Sequence, residues 1–360
     1  MFGTLSILDQ LALIKNQTAV EYGEERLAQD FQRFLAVQNA RVQELTSLLV
    51  EDTTERLSSY GTGARIEMNK ADEFARSDAQ KVFPTTTDIG WPLDLFQASI
   101  QWTRKFLQVA PVSELAIQMQ AVEEADMRNV RKEIQRALFT PTNRLTYKDR
   151  LVDNATLPVR ALLNADSAPI PEDEFGNTFD ASTHTHYSGT GSLAAADITS
   201  LVNNVAEHGV SGTSNLKIYI NRAQEATIRG FTNNFDPYAP TLIDPGPGST
   251  ADVIVGNPRV QPFSIYNRPI GIWDGVTEIW VKPWIFANYI LVVDEDPTRR
   301  VLRRRTRPQV GGNLELVVED ERYPLRARTV EREFGISVWN RDRAAVLYTA
   351  NSTYAAPTIV

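Results

Sequence analysis

His184 and His186 flank a single threonine, so on extended backbone both imidazoles face one side. With His208 they are the only three histidines of the chain. Three imidazoles are enough to hold a divalent metal ion. The triplet stands in a polar Ser/Thr/Gly stretch, however, and no nearby carboxylate has a metal-site spacing. The preferred reading is a loop plus a helix-terminal histidine that faces the negative end of the helix dipole. No metal or other cofactor is expected. Cysteine is absent, which excludes disulfides, thiolate zinc sites, iron–sulfur ligation and cysteine nucleophiles.

Three glycine-rich pieces invite comparison with phosphate-binding loops: Gly61-Thr62-Gly63, Gly189-Thr190-Gly191 and Pro245-Gly246-Pro247-Gly248-Ser249-Thr250. None carries the lysine of a P-loop or completes a dinucleotide fingerprint. Carboxylates are plentiful and six tryptophans could line a sugar groove, so glycoside hydrolysis is the one catalytic class left open. No pair of acids stands out, and Trp273, Trp280 and Trp284 alternate with apolar residues as buried strand residues do. No enzymatic activity and no catalytic residue is expected.

The densest charge feature is Arg299, Arg300, Arg303, Arg304, Arg305 and Arg307, six guanidiniums within nine residues of a chain whose net charge is -8. Asp294-Glu295-Asp296 and Glu319-Asp320-Glu321 flank it. Three readings stand: a solvated loop balanced by its own acids, ion pairs across a subunit boundary, or contact with nucleic acid. Planar arginine forks suit carboxylates at interfaces. Base-stacking aromatics are not interleaved with the cluster, which disfavours direct nucleic-acid contact.

These side chains must be held by elements that the pattern outlines. The 360 residues correspond to two or three compact units at roughly 150 residues each, and 42% hydrophobic with 23% charged residues is ordinary for a globular protein. No apolar run approaches the ~18 residues of a membrane span, and the N-terminus lacks the pattern of a secretory signal, so no membrane partner is expected. Residues 21–50 read as an amphipathic helix on Leu27, Phe31, Phe34, Leu35, Val42, Leu45, Leu48 and Leu49. Residues 51–110 turn polar, with too little apolar content for a core of their own, and fit an extended hairpin partnered by another chain.

A long helix follows from Pro111, with Leu115, Met119, Val122, Met127, Val130, Ile134 and Leu138 on one stripe and a charged opposite face. A capped helix from Leu193 to His208 leads into the strand LKIYI. The final third, with VIVG, GIWDGV, TEIWVKPW, YILVVDED and the alternating stretch after Leu314, reads as strands separated by turns.

The order of these parts resembles the major capsid protein of tailed phages, the Hong Kong 97 type. The carriers are Trp91-Pro92-Leu93 through Leu107 leading into the helix, AADITSLVNNVAEHG with LKIYINRAQ, TEIWVKPWIFANYILVVDED, and ERYPLRARTVEREFGISVWNRDRAAVLY. The resemblance implies an α+β fold with an N-terminal arm over 1–50, an E-loop and flanking strands over 51–108, and a P domain with its spine helix over 109–192. It further implies an A domain over 193–295, with strands returning to the P domain and a C-terminal tail over 296–360.

On that resemblance, copies of the chain form pentamers and hexamers of an icosahedral phage head around double-stranded DNA. An encapsulin-type nanocompartment shell is the alternative within the fold, and a carbohydrate-acting protein the alternative outside it. Expected partners are other copies of the chain, with portal and scaffolding or decoration proteins; the packaged DNA is contacted weakly. The expected location is the virion capsid. Inter-subunit contact candidates are the six arginines, Glu319, Asp320, Glu321, and Lys70 and Lys81, which fall in the implied E-loop.

Overall fold

The computed structural model describes residues 17–61, 86–173, 176–209, 215–238, 267–309, 311–322 and 325–359. The expected strand at Val253–Val255, the Pro/Gly loop at 245–250, Lys70, Lys81 and the middle of the implied E-loop lie outside them.

The spine helix runs Val112–Phe139, and its 28 residues extend about 42 Å. Pro111 stands at its N-cap in extended conformation, Glu114 in the first turn and Arg136 in the last, each matching the polarity of the helix ends. The expected stripe is buried except Met127, which is partly covered. The opposite face is less solvated than its charges suggest. Asp126 and Glu133 are buried, and Glu123 pairs with Arg41 of the N-terminal helix Glu24–Thr46. That helix is shorter than the apolar pattern, because the chain turns at Ser47 and enters a strand at Val50.

Among the described residues the strands form two main sheets. The first follows the order Val50–Thr53, Leu302–Arg305, Leu325–Val338, Glu315–Arg322, with Asp94–Thr103 also paired to Leu325–Val338. The second follows Tyr187–Gly189, Ala344–Tyr348, Tyr289–Asp294, Leu216–Ile220, Thr277–Val281, Arg268–Trp273 and Phe235–Pro237. Two small antiparallel pairs, Leu57–Gly61 with Thr86–Gly90 and Arg144–Lys148 with Thr156–Val159, complete the set.

A cluster that includes Val130, Ile134, Leu138, Tyr219, Leu291, Val338 and Val346 joins the spine helix to both sheets. A second cluster seats the helix Ala195–Ala206 on the second sheet through Ile198, Leu201 and Val205. A third packs Phe31, Phe34 and Leu35 against Leu115, Met119, Trp102 and Leu107.

The polar stretch after residue 50 finds partners within its own chain wherever it is described. Asp94–Thr103 pairs over its whole length with Leu325–Val338, while Tyr60, Ile89 and Trp91 make a small core with Trp339. The C-terminal strands also divide between the sheets, since Ala344–Tyr348 crosses into the second and pairs with Tyr289–Asp294.

Strand Leu325–Val338 is clamped where it passes Pro92. A Cβ added at Gly335 would lie 2.2 Å from the Pro92 carbonyl oxygen, so only glycine fits there. Gly335→Ala should therefore destabilise the chain by about 1–3 kcal/mol in chemical denaturation. Wild-type stability in that variant would mean that the Pro92 segment yields freely.

Candidate functional site

The middle of the arginine cluster, Arg303 to Arg305, lies on a strand and its two ends lie in the flanking loops. Leu302–Arg305 lies between Val50–Thr53, to which it is parallel, and the long strand, to which it is antiparallel. The parallel register sets Glu51 opposite Arg303 and Asp52 opposite Arg304, and opposite charges at facing positions attract. Arg303 pairs with Glu51 while its guanidinium lies 4.1 Å from the Trp339 ring centre. Arg304 makes a fork to Asp52 through Nε at 2.6 Å and a terminal nitrogen at 2.8 Å.

Arg305, on the same face as Arg303, donates to Asp149 at 2.9 Å and to the Trp91 carbonyl at 3.0 Å. Arg307 pairs with Glu333 at 2.6 Å, and Arg300 donates to the Leu48 carbonyl. Arg299 is exposed.

Arg303, Arg304, Arg305 and Arg307 each have an acidic partner within the chain. Of the flanking acids, Asp294 pairs with Arg343 at 3.0 Å, and Glu319–Glu321 sit in the strand Glu315–Arg322, in register with 326–328. The signal that was missed is the pairing of Glu51-Asp52 with Arg303-Arg304, two strands some 250 residues apart in sequence.

Of the three tryptophans expected in the core, Trp280 and Trp284 are only partly buried. Trp91 and Trp273 are fully buried. A groove of 540 Å³ beside Leu45, Met127, Tyr219 and Trp284 offers one carboxylate, Glu44, whereas glycoside hydrolysis uses a pair. Gly189 is needed for close approach instead of phosphate, because a Cβ there would lie 2.6 Å from the Asn351 carbonyl oxygen.

The three histidines depart most from expectation, because the loop-plus-helix-end reading kept them apart and the fold brings them together. Thr185 bridges to Asn164, and the extended backbone places the His184 and His186 rings on one side, at the edge of the second sheet. Helix Ala195–Ala206 packs across that sheet, and Gly209, at φ 74°, lies just beyond its end. His208 is thereby carried to the triplet.

The three Nε2 atoms lie 3.2 Å (His184–His186), 2.9 Å (His184–His208) and 3.0 Å (His186–His208) apart. His186 Nδ1 donates to the Ala344 carbonyl at 2.7 Å, and the Phe179 ring stacks over His208 with centroids 4.2 Å apart. Burial pushes the His186 and His208 imidazoles down to about 3, and the proximity of other imidazoles adds to it. Burial lowers His184 as well. All three are neutral near pH 7.

No family model and no curated protein matches the sequence. Solved structures do match. A chain of Mycobacterium phage Patience superposes with a TM-score of 0.67 at 22% identity, covering 91% of this chain and 88% of that one. The chain shares the fold of that phage chain. Also similar are the capsid of a native GTA particle, at TM-score 0.48 and 13% identity over 86% of this chain and 90% of that one, and an encapsulin of Synechococcus elongatus, at TM-score 0.42 and 13% identity over 88% and 90%. Within this fold the spine helix packs against the N-terminal helix and, through the shared core cluster, against both sheets. No helix among the described residues is long and apolar enough to cross a membrane.

Proposed function

We propose that this chain is the major capsid protein of a tailed phage, assembling as pentamers and hexamers into an icosahedral shell around double-stranded DNA. One observation carries the reading: the fold is shared with the phage Patience chain over about nine-tenths of both chains. Its role is structural and its place is the virion capsid. Residues 1–50 serve as the N-terminal arm, 51–108 as the E-loop with its flanking strands, 109–192 as the P domain, 193–295 as the A domain and 296–360 as the return to the P domain and tail.

Physical chemistry supports assembly as well. Closed symmetric shells supply neighbouring copies against which side chains left exposed in this stretch, such as Leu57 and Leu95, become buried. A subunit of charge -8 has no general attraction to DNA, which suits weak contact with packaged nucleic acid. Other copies of the chain are the primary partners, and portal and scaffolding or decoration proteins the secondary ones.

Electron microscopy of the purified chain tests the proposal. Shells or capsomers are the expected result. A strictly monomeric chain under every assembly condition overturns it.

A further inference from the structure

We propose that His184, His186 and His208 form a binding site for a divalent transition-metal ion, with zinc the ion that the all-imidazole donor set suits. The inference concerns the folded subunit and stands whether or not the chain builds a shell. Hydrogen bonding alone does not account for the arrangement. His186 Nδ1 faces a carbonyl oxygen, so it carries the ring proton and leaves Nε2 as a bare lone pair.

The other two Nε2 atoms then face that lone pair and each other. If both are protonated, two N–H groups confront each other at 2.9 Å; if either is bare, two lone pairs do. No choice of tautomers satisfies all three contacts. A cation satisfies them together, because three lone pairs converge on one point.

The spacing agrees. Zinc at about 2.0–2.1 Å from each nitrogen in tetrahedral geometry sets neighbouring nitrogens about 3.3 Å apart. The observed separations, 2.9 to 3.2 Å, need only a slight opening. The hydrogen bond from His186 Nδ1 to the Ala344 carbonyl is the outer contact that fixes a ligating imidazole's tautomer and orientation.

The setting suits a neutral-ligand site. His186 and His208 are buried, Phe179 covers the ring of His208, and the carboxylate of Glu207 comes within 3.7 Å of His184 Nε2, close enough to supply a fourth donor. Bound metal would join the segment before Tyr187 to the end of helix Ala195–Ala206. The ion would thus act as a staple.

The test uses the full chain without an affinity tag. Zinc is added, free ion is removed by desalting, and retained metal is measured by elemental analysis. Wild type should retain one zinc per chain and melt about 3–5 °C higher with zinc at roughly a hundredfold excess over Kd. Magnesium, a hard ion that prefers oxygen donors, should leave the melt unchanged.

His184→Gln alters the least buried of the three rings and should keep the wild-type circular dichroism while binding zinc at least roughly tenfold more weakly. Cobalt(II) provides a second readout that does not depend on any variant, since a site with this spacing should give the visible bands of tetrahedral coordination. Equal zinc retention by wild type and His184→Gln overturns the proposal. So does cobalt that keeps the spectrum of the hydrated ion in the wild-type protein.

Discussion

Replacing Arg332 with methionine should cost the folded chain about 3–5 kcal/mol, the range for removing one partner of a buried ion pair. Arg332 is 2% exposed and reaches from the long strand to three other parts of the chain. Its Nε and one terminal nitrogen each donate at 2.8 Å to the two carboxylate oxygens of Asp126 on the spine helix. The other terminal nitrogen donates to the Gly312 carbonyl at 2.7 Å, and the fork also meets Asn39 Oδ1 at 3.0 Å.

Methionine approximates the length of the side chain but leaves the Asp126 carboxylate buried with only Gln38 Nε2, at 2.9 Å, as a side-chain donor. Urea titration of wild type and variant measures the loss. A companion double variant, Arg332→Met with Asp126→Leu, removes both charges and should recover most of it, because the cost lies in the orphaned charge more than in the missing attraction. A single variant within about 1 kcal/mol of wild type would show that the N-terminal helix, spine helix and long strand are held by apolar packing alone.

Arg332 also illustrates what the amino-acid pattern conveys and where it stops. The spine helix is legible because its burial repeats at helical spacing, with Leu115, Met119, Val122, Val130, Ile134 and Leu138 in one stripe. Strands buried on both faces, such as Tyr289–Asp294, are legible as short apolar runs between turns. Asp126 and Glu133 look solvated by the same logic, because periodicity assigns a face and says nothing about what later packs against it. Burial of Asp126 is decided by a residue more than 200 positions away.

The arginine cluster shows the same limit. Six cations in nine residues read as an interface or a solvated loop, yet Arg303 and Arg304 meet Glu51 and Asp52 on a strand paired in parallel, and Arg305 and Arg307 meet Asp149 and Glu333. Parallel register is a long-range property, set once the whole sheet has formed. The histidines are a sharper instance. The common side of His184 and His186 follows from the two-residue period, but the third ring arrives only because helix Ala195–Ala206 crosses the sheet at one particular place. Local rules thus give the elements, and the chemistry arises where distant elements meet.

The same dependence on distant contacts makes Trp91 the point at which the strand pair Leu57–Gly61 and Thr86–Gly90 is anchored to the first sheet. Its indole is fully buried, donates to Ser58 Oγ at 3.0 Å and meets the Trp339 ring edge-on with centroids 5.6 Å apart. Its backbone is held on both sides: Trp91 N–H donates to the Arg56 carbonyl at 3.0 Å, and its own carbonyl accepts from Arg305 at 3.0 Å.

Trp91→Ala should cost about 3–5 kcal/mol, since the emptied volume lies between rings that cannot collapse onto one another without moving a strand. Trp91→Phe keeps an aromatic face toward Trp339 and loses the bond to Ser58, so a loss nearer 1 kcal/mol is expected. The location of the damage matters more than its size. Hydrogen exchange in Trp91→Ala should accelerate first at residues 57–61 and 86–90, because the Arg332–Asp126 contacts are untouched. Uniform acceleration across both sheets would show that the strand pair is not a separately anchored unit. Under the capsid reading this pair is the root of the E-loop, so Trp91→Ala should also form fewer shells at a temperature where the subunit remains folded, and normal shell yield there would remove the E-loop assignment.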